Sequence, residues 1–201
     1  MSYFLDNSNL VSKKSKKYLA KNEIQIFKRF AEYVKSVSHI STTFQYDNFI
    51  QETISLTINV KFRSIKRFPV YEKEIIQISK SSPLTEKTPW GGVAIKKVDV
   101  EKDYIKKLLV ISKYGTLGFE IHKLKHEKLK ILEGACIVLY SNHANKNWKL
   151  GKISIRLGLP GDKFEFLPND EHGIVTLTNC VIEETSTNHL NDLTYIFHAS
   201  Q

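Results

Sequence analysis

Between Gly118 and Leu124 the chain reads Gly118-Phe119-Glu120-Ile121-His122-Lys123-Leu124. In a strand, side chains alternate between two faces. Leu117, Phe119 and Ile121 then share one face, and Glu120, His122 and Leu124 the other. A carboxylate and an imidazole on one face, one residue between them, can reach a single ion. Glu127 follows just beyond, and His172 closes the run Leu167-Pro168-Asn169-Asp170-Glu171-His172. Two imidazoles with one or two carboxylates suit Zn, Mn, Fe, Co or Ni. His122, Glu127 and His172 also make a two-His, one-carboxylate iron set of the kind that activates oxygen, although Glu120 would crowd its open positions. The same residues equally fit a strand of polar groups with no ion, because such spacings are common in a chain with seven His.

Burial narrows the choice. A buried carboxylate without a cation or donor is costly. Glu120 and Glu127 therefore face inward together only beside something positive, a metal or Lys107. Lys107 and Arg156 lie in strand-like runs and are candidates to receive an anionic substrate group, or else stand on an outer face. Lys107 and Glu120 are also the candidate acid–base residues. Lys123, Lys125, Lys128 and Lys130 read as an outer, solvated face. Trp90 and Trp148 read as packing residues.

These side chains need elements to hold them. Ile24, Phe27, Phe30, Ala31, Val34 and Val37 recur at helical spacing, which predicts an amphipathic helix from Asn22 to Val37 capped by Asn22. Thr53 to Phe62 alternates apolar and polar residues and predicts a half-buried strand, with a second at Val70–Ile78. Residues 1–20 read as poorly ordered. After Pro83 come short β-like runs near Gly92–Val100, Tyr104–Ser112, Leu117–Leu124, Lys128–Tyr140, Trp148–Leu157, Asp162–Leu167, Gly173–Glu183 and Leu193–Phe197. Such spacing without helix signals predicts a sandwich or barrel.

Composition sets the outer bounds. The chain has 201 residues and a net charge of +9. Residues 1–80 carry 14 basic against 7 acidic residues, and the remainder 16 against 14, so the excess is N-terminal. That basic run lacks the aromatic interleaving of a nucleic-acid surface. No stretch approaches the roughly 18 apolar residues of a membrane helix. Nor does the N-terminus show an apolar signal region, and Cys136 and Cys180 read as buried free thiols, so a cytoplasmic protein is expected.

Several motifs from Thr88 to Phe197 together resemble a known family. Pro89-Trp90-Gly91, Lys107 within Ile105–Leu109, Glu120-Ile121-His122, Glu127, Gly134 and Leu167–His172 fall in the order of the cupin domain of type II phosphomannose isomerases, also found fused to mannose-1-phosphate guanylyltransferases. Glu183-Glu184-Thr185-Ser186-Thr187 resembles the family's last inner strand. The resemblance implies an all-β cupin, a double-stranded β-helix or jelly-roll barrel, at residues 83–201. Residues 1–82 then form an extension with a helix and edge strands. It further implies a divalent metal on Glu120, His122, Glu127 and His172, a sugar or sugar-phosphate substrate met by Lys107 and Arg156, aldose–ketose isomerisation, and a homodimer, for which Thr53–Phe62 is the pairing strand. There are departures. Leu124 stands where the family has its second His, Glu120 replaces a Gln, Tyr195 replaces an Arg, and Asn169 replaces a Gly. His126 is a candidate substitute for the lost ligand, and a barrel without catalysis that binds a small ligand or a partner is the alternative.

Overall fold

The computed structural model describes residues 2–62, 85–142 and 151–198. The expected strand at Val70–Ile78, the boundary near Pro83, and Trp148 lie outside the described residues.

The N-terminal part supplies β1 (Tyr3–Asp6), a 3-10 turn at Ser15–Tyr18, α1 (Lys21–Val37), β2 (His39–Ile40) and α2 (Thr43–Thr57). Among the described residues eleven strands follow: β3 (Thr85–Thr88), β4 (Gly91–Asp99), β5 (Tyr104–Ile111), β6 (Thr116–Ile121), β7 (Glu127–Glu133), β8 (Cys136–Ser141), β9 (Lys152–Gly158), β10 (Lys163–Phe166), β11 (Glu171–Thr176), β12 (Cys180–Ser186) and β13 (Thr194–Phe197). One sheet has the order β13-β6-β11-β8-β9-β1-β2, the other β10-β7-β12-β5-β4-β3. Their facing residues, among them Leu109, Ile131, Val138, Phe164, Ile174 and Ile182, form one apolar core. Every pairing is antiparallel except that of β1 with β9. Two such facing sheets make a jelly-roll barrel.

A second core covers the opposite face of the seven-stranded sheet. Phe27, Phe30 and Val34 of α1 and Tyr46, Phe49 and Ile50 of α2 pack there with Phe119, Ile137, Leu139, Ile155 and Phe197. Strand β8 is therefore buried on both faces, Cys136, Val138 and Tyr140 in one core and Ile137 and Leu139 in the other. Both thiols are free and buried.

Three N-terminal expectations change. Residues 3–6, expected to be poorly ordered, form β1, where Tyr3 packs edge-on against Phe119 at 5.6 Å. The cap of α1 is Ala20, not Asn22, and Glu23 accepts the Ala20 amide at 2.9 Å. Thr53–Thr57 is helix, not strand. Buried Tyr46, Phe49, Ile50, Thr53 and Thr57 follow helical spacing, and the Thr53 and Thr57 hydroxyls donate to the Phe49 and Thr53 carbonyls at 2.7 and 2.6 Å. A threonine that bonds back to the preceding turn can face a helix interface. With no strand at 53–57, the imagined dimer pairing through that segment falls away.

Two predicted runs each divide in two. Lys128–Tyr140 breaks at Gly134, whose φ is +82° and where a Cβ would lie 2.1 Å from the Asn179 carbonyl oxygen. Gly173–Glu183 divides between β11 and β12.

Candidate metal centre

Strand β6 is irregular where chemistry is concentrated. His172 pairs with Glu120, but Ile174 pairs with Leu117, so β6 carries an extra residue. Such a bulge re-aims side chains. Leu117 consequently packs into the inter-sheet core, while Phe119 faces the helices. Glu120 and His122 then point inward, where His172 from β11 meets them. Sequence alternation placed Leu117 with Phe119, and the bulge separates them.

Strand β6 ends at Ile121 and the chain turns. Leu124 therefore lies 61% exposed instead of continuing the inward face. The position read as a lost ligand is not an inward position. Nor does His126 replace it, for its ring meets Glu165 at 2.9 Å on the outer side.

The ligand atoms of Glu120, His122 and His172 all lie within 4.8 Å of one another. His122 Nε2 and His172 Nε2 stand 3.6 and 3.5 Å from Glu120 Oε1. Glu127 Oε2 lies 3.5 Å from His122 Nε2 and 3.2 Å from His172 Nε2. An ion bonded to tetrahedral ligands at about 2.1 Å sets them about 3.4 Å apart. The four imidazole–carboxylate separations, 3.6, 3.5, 3.5 and 3.2 Å, lie close to that value.

Each imidazole is held. His122 Nδ1 donates to the Asp192 carbonyl, so its proton sits on Nδ1 and the Nε2 lone pair faces the cluster. That Nε2 is buried and without a hydrogen-bond partner. Orientation of the second ring nitrogen by a carbonyl is usual for a metal-binding histidine. The His172 ring stacks on Phe166, centroids 4.2 Å apart and planes 5° from parallel. Before it, Asn169 adopts the left-handed conformation expected of it, φ 69°, and Asp170 caps the Leu167 amide at 2.8 Å.

Around this set lies a buried ionic network that the sequence did not disclose. Lys125, read as an outer residue, is 6% exposed. Its ammonium donates to Glu127 Oε1 and lies 2.9 Å from Glu184 Oε1. Lys107 faces inward, but its partner is Glu184 at 2.9 Å, neither Glu120 nor Glu127. Glu184 also accepts from the Ser186 hydroxyl at 3.1 Å. The signal for Lys125 was the end of β6, since alternation cannot be extended through a turn.

Burial opposes charge on Glu127, yet His172, Lys125 and His122 outweigh it and hold its pKa well below the usual carboxylate range. Burial likewise opposes charge on His172, and Glu127 and Glu120 outweigh it, raising its pKa. For Lys125 burial lowers the pKa, but Glu184 and Glu127 raise it by more. Among the described residues, Glu120, Glu127 and Glu184 of the cluster meet two ammonium groups, Lys107 and Lys125. One negative charge is left for an imidazolium or a bound cation.

The other expected site residues stand apart. Arg156 pairs with Asp162 at 3.6 Å and lies over the Phe164 ring at 5.1 Å. Trp90 packs on the inter-sheet core. Tyr195 pairs with Glu120 in the β13–β6 ladder and is 42% exposed. No helix among the described residues is long and apolar enough to cross a membrane.

No protein-family model matches the chain, and no curated protein does. Among solved structures, it is similar to an RmlC-like cupin from Shewanella frigidimarina at 16% identity, over 56% of this chain and 89% of that one, with a TM-score of 0.45. KdgF from Halomonas sp. is similar at 17% identity, over 53% and 86%, with a TM-score of 0.43. An oxalate oxidase in complex with the substrate analogue glycolate is similar at 18% identity and a TM-score of 0.43, over 54% of this chain and only 57% of that one. The chain's own sheet order and facing core make it a jelly-roll β-barrel, the fold those structures share, with a two-His, carboxylate cluster between its sheets.

Proposed function

We propose that the protein is a metal-binding cupin in which Glu120, His122, Glu127 and His172 hold a divalent transition ion that engages a small oxygen-bearing molecule. The observation that carries this reading is the convergence of two imidazole Nε2 atoms on Glu120 Oε1 at 3.6 and 3.5 Å, with His122 Nε2 buried and unpartnered. The excess of carboxylates over ammonium groups among the described residues of the cluster supports it. A donor set of two imidazoles and a carboxylate suits Zn, Mn, Fe, Co or Ni. When bound, such an ion acts as a Lewis acid toward a carbonyl oxygen.

What the chain's own residues contribute is placement. Asp192 holds His122 in the metal-binding tautomer, and Phe166 fixes the plane of His172. The finer reading, a sugar-phosphate aldose–ketose isomerase, asks for a free cation at the phosphate. Lys107 and Arg156 are each paired with a carboxylate, which favours an uncharged or carboxylate-bearing sugar-like substrate over a phosphorylated one. A homodimer remains part of the proposal, without an assigned interface.

Metal analysis of protein purified without added metal tests the reading. Near-stoichiometric Mn, Fe, Co, Ni or Zn is expected, lost in His122→Ala and His172→Ala. Absence of metal, together with no thermal shift from any of these ions, refutes it and leaves a barrel without a metal function. Turnover of mannose 6-phosphate to fructose 6-phosphate by the loaded protein would restore the phosphate-specific reading.

A further inference from the structure

Residues 187–193 connect β12 to β13 and run beside the turn that follows β6. The first half of this loop is tied by Thr187, whose amide donates to the His126 carbonyl at 3.1 Å, and by Asn188, whose amide donates to Asp103 at 2.9 Å. The second half is tied by Asp192. Its carbonyl accepts the His122 Nδ1 proton. Its carboxylate accepts the Leu124 amide and the Lys125 amide, the latter at 3.0 Å. A backbone carbonyl is held only as firmly as its own loop, so the carboxylate keeps the carbonyl against His122. The same carboxylate seats Lys125, whose ammonium donates to Glu127 Oε1.

Both contacts engage the atom of a ligand that faces away from the centre. With Nδ1 on Asp192, His122 offers Nε2; with Oε1 on Lys125, Glu127 offers Oε2. These two atoms are 3.5 Å apart, buried and without a hydrogen-bond partner. Leaving two such atoms face to face is costly, and an ion between them removes the cost. We infer that Asp192 is a positioning residue of the metal centre, fixing the His122 proton on Nδ1 through its carbonyl and, through its carboxylate and Lys125, aiming Glu127 Oε2 at the ion. The inference rests on the metal-binding reading above. Asp192 is no ligand itself, yet two of the four donors take their direction from it.

The full chain labelled with ¹⁵N-histidine, free of metal and above the pH at which imidazole titrates, tests the first contact by nuclear magnetic resonance. The His122 signal, identified by its absence in His122→Ala, should show the Nδ1–H tautomer. Asp192→Ala should return it to a mixture of tautomers. Asp192→Asn, which keeps an acceptor oxygen for the amides, should preserve it. Co²⁺ titration of the full chain tests the consequence. Affinity should fall at least about tenfold in Asp192→Ala and change by less than about threefold in Asp192→Asn. In a mutant cycle, Asp192→Ala and Glu127→Gln together should cost less than the product of their separate fold-losses, because one acts through the other.

The Nε2–H tautomer of His122 in the wild type overturns the inference, and this measurement needs no variant to fold. So does wild-type Co²⁺ affinity with an unchanged His122 signal in Asp192→Ala. Full independence of Asp192→Ala and Glu127→Gln overturns the route through Lys125. Undiminished Co²⁺ binding in His122→Ala and His172→Ala would instead overturn the metal reading itself, while the tautomer of the metal-free protein would stand, so the two failures are distinguishable.

Discussion

Stability of the metal-free protein should fall as pH rises through neutrality, and bound metal should reverse the trend. The responsible group is His172, which is buried, 3.2 Å from Glu127 and 3.5 Å from Glu120. Its pKa is raised above the ordinary 6.5, because the carboxylates outweigh the opposing effect of burial. A group with a raised folded pKa stabilises the fold fully below its unfolded value, and that contribution is lost as pH climbs through the folded value. The pKa of Glu127 is lowered from 4.5. Its contribution is full above that value and is lost as pH drops through the lower, folded one. Both terms are complete only between these two ordinary values, and rising pH then removes the His172 part. Each tenfold change in the acidity of one group corresponds to about 1.4 kcal/mol. For a chain of this size that is a melting shift of about 3–6 °C. Metal competes with protons for the same imidazole, so the shift it produces should grow over that same rising pH range. Thermal unfolding with chelator and with Co²⁺, from about pH 5.5 to 8.5, reads both trends in the window where histidine titrates. A chelated protein whose melting temperature does not decline above neutrality, or declines equally in His172→Asn, would refute the reasoning.

Other outcomes follow from the packing. Glu23 accepts backbone amides from Ala20, Lys61 and Phe62 at 2.9, 3.1 and 2.5 Å, joining the start of α1 to the segment after α2. Glu23→Ala should cost about 2–3 kcal/mol in denaturant unfolding, and Glu23→Gln, which keeps an acceptor oxygen, less. A Cβ on Gly173 would lie 2.8 Å from the Tyr46 hydroxyl and 3.1 Å from the Gly118 carbonyl oxygen. Gly173→Ala should therefore destabilise by about 1–3 kcal/mol. Tyr46→Phe should recover part of that loss, because the Tyr46 hydroxyl is buried without a partner. Phe166→Ala removes the ring stacked on His172, and should cost about 3–5 kcal/mol and weaken Co²⁺ binding in the same titration.

Legibility in the sequence followed the range of the interaction involved. Helix α1 was readable because large apolar residues mark a helical stripe, and only its capping residue was misjudged. The alternation of Ile54, Leu56, Ile58, Val60 and Phe62 with polar residues predicts a strand where the end of α2 lies, because Thr57 counts as polar there while its hydroxyl, like that of Thr53, is satisfied by a carbonyl of the same helix. Strands β4, β5, β10 and β13 fall close to their expected spans because turn residues bound them. The bulge in β6 carried no local mark, since it exists only against β11.

From residue types and order came a sandwich or barrel, the candidate donors Glu120, His122, Glu127 and His172, and the need for a positive group beside the carboxylates; the choice of a barrel came from the family resemblance. Tertiary structure decided which group that is, Lys125 against Glu127 and Lys107 against Glu184. It also decided that Leu124 faces out and that His172 meets His122 and Glu120. Alternation is a local property, legible within a strand. Where a strand stops, which face a turn presents and what stands across the barrel depend on pairings between residues far apart in the chain.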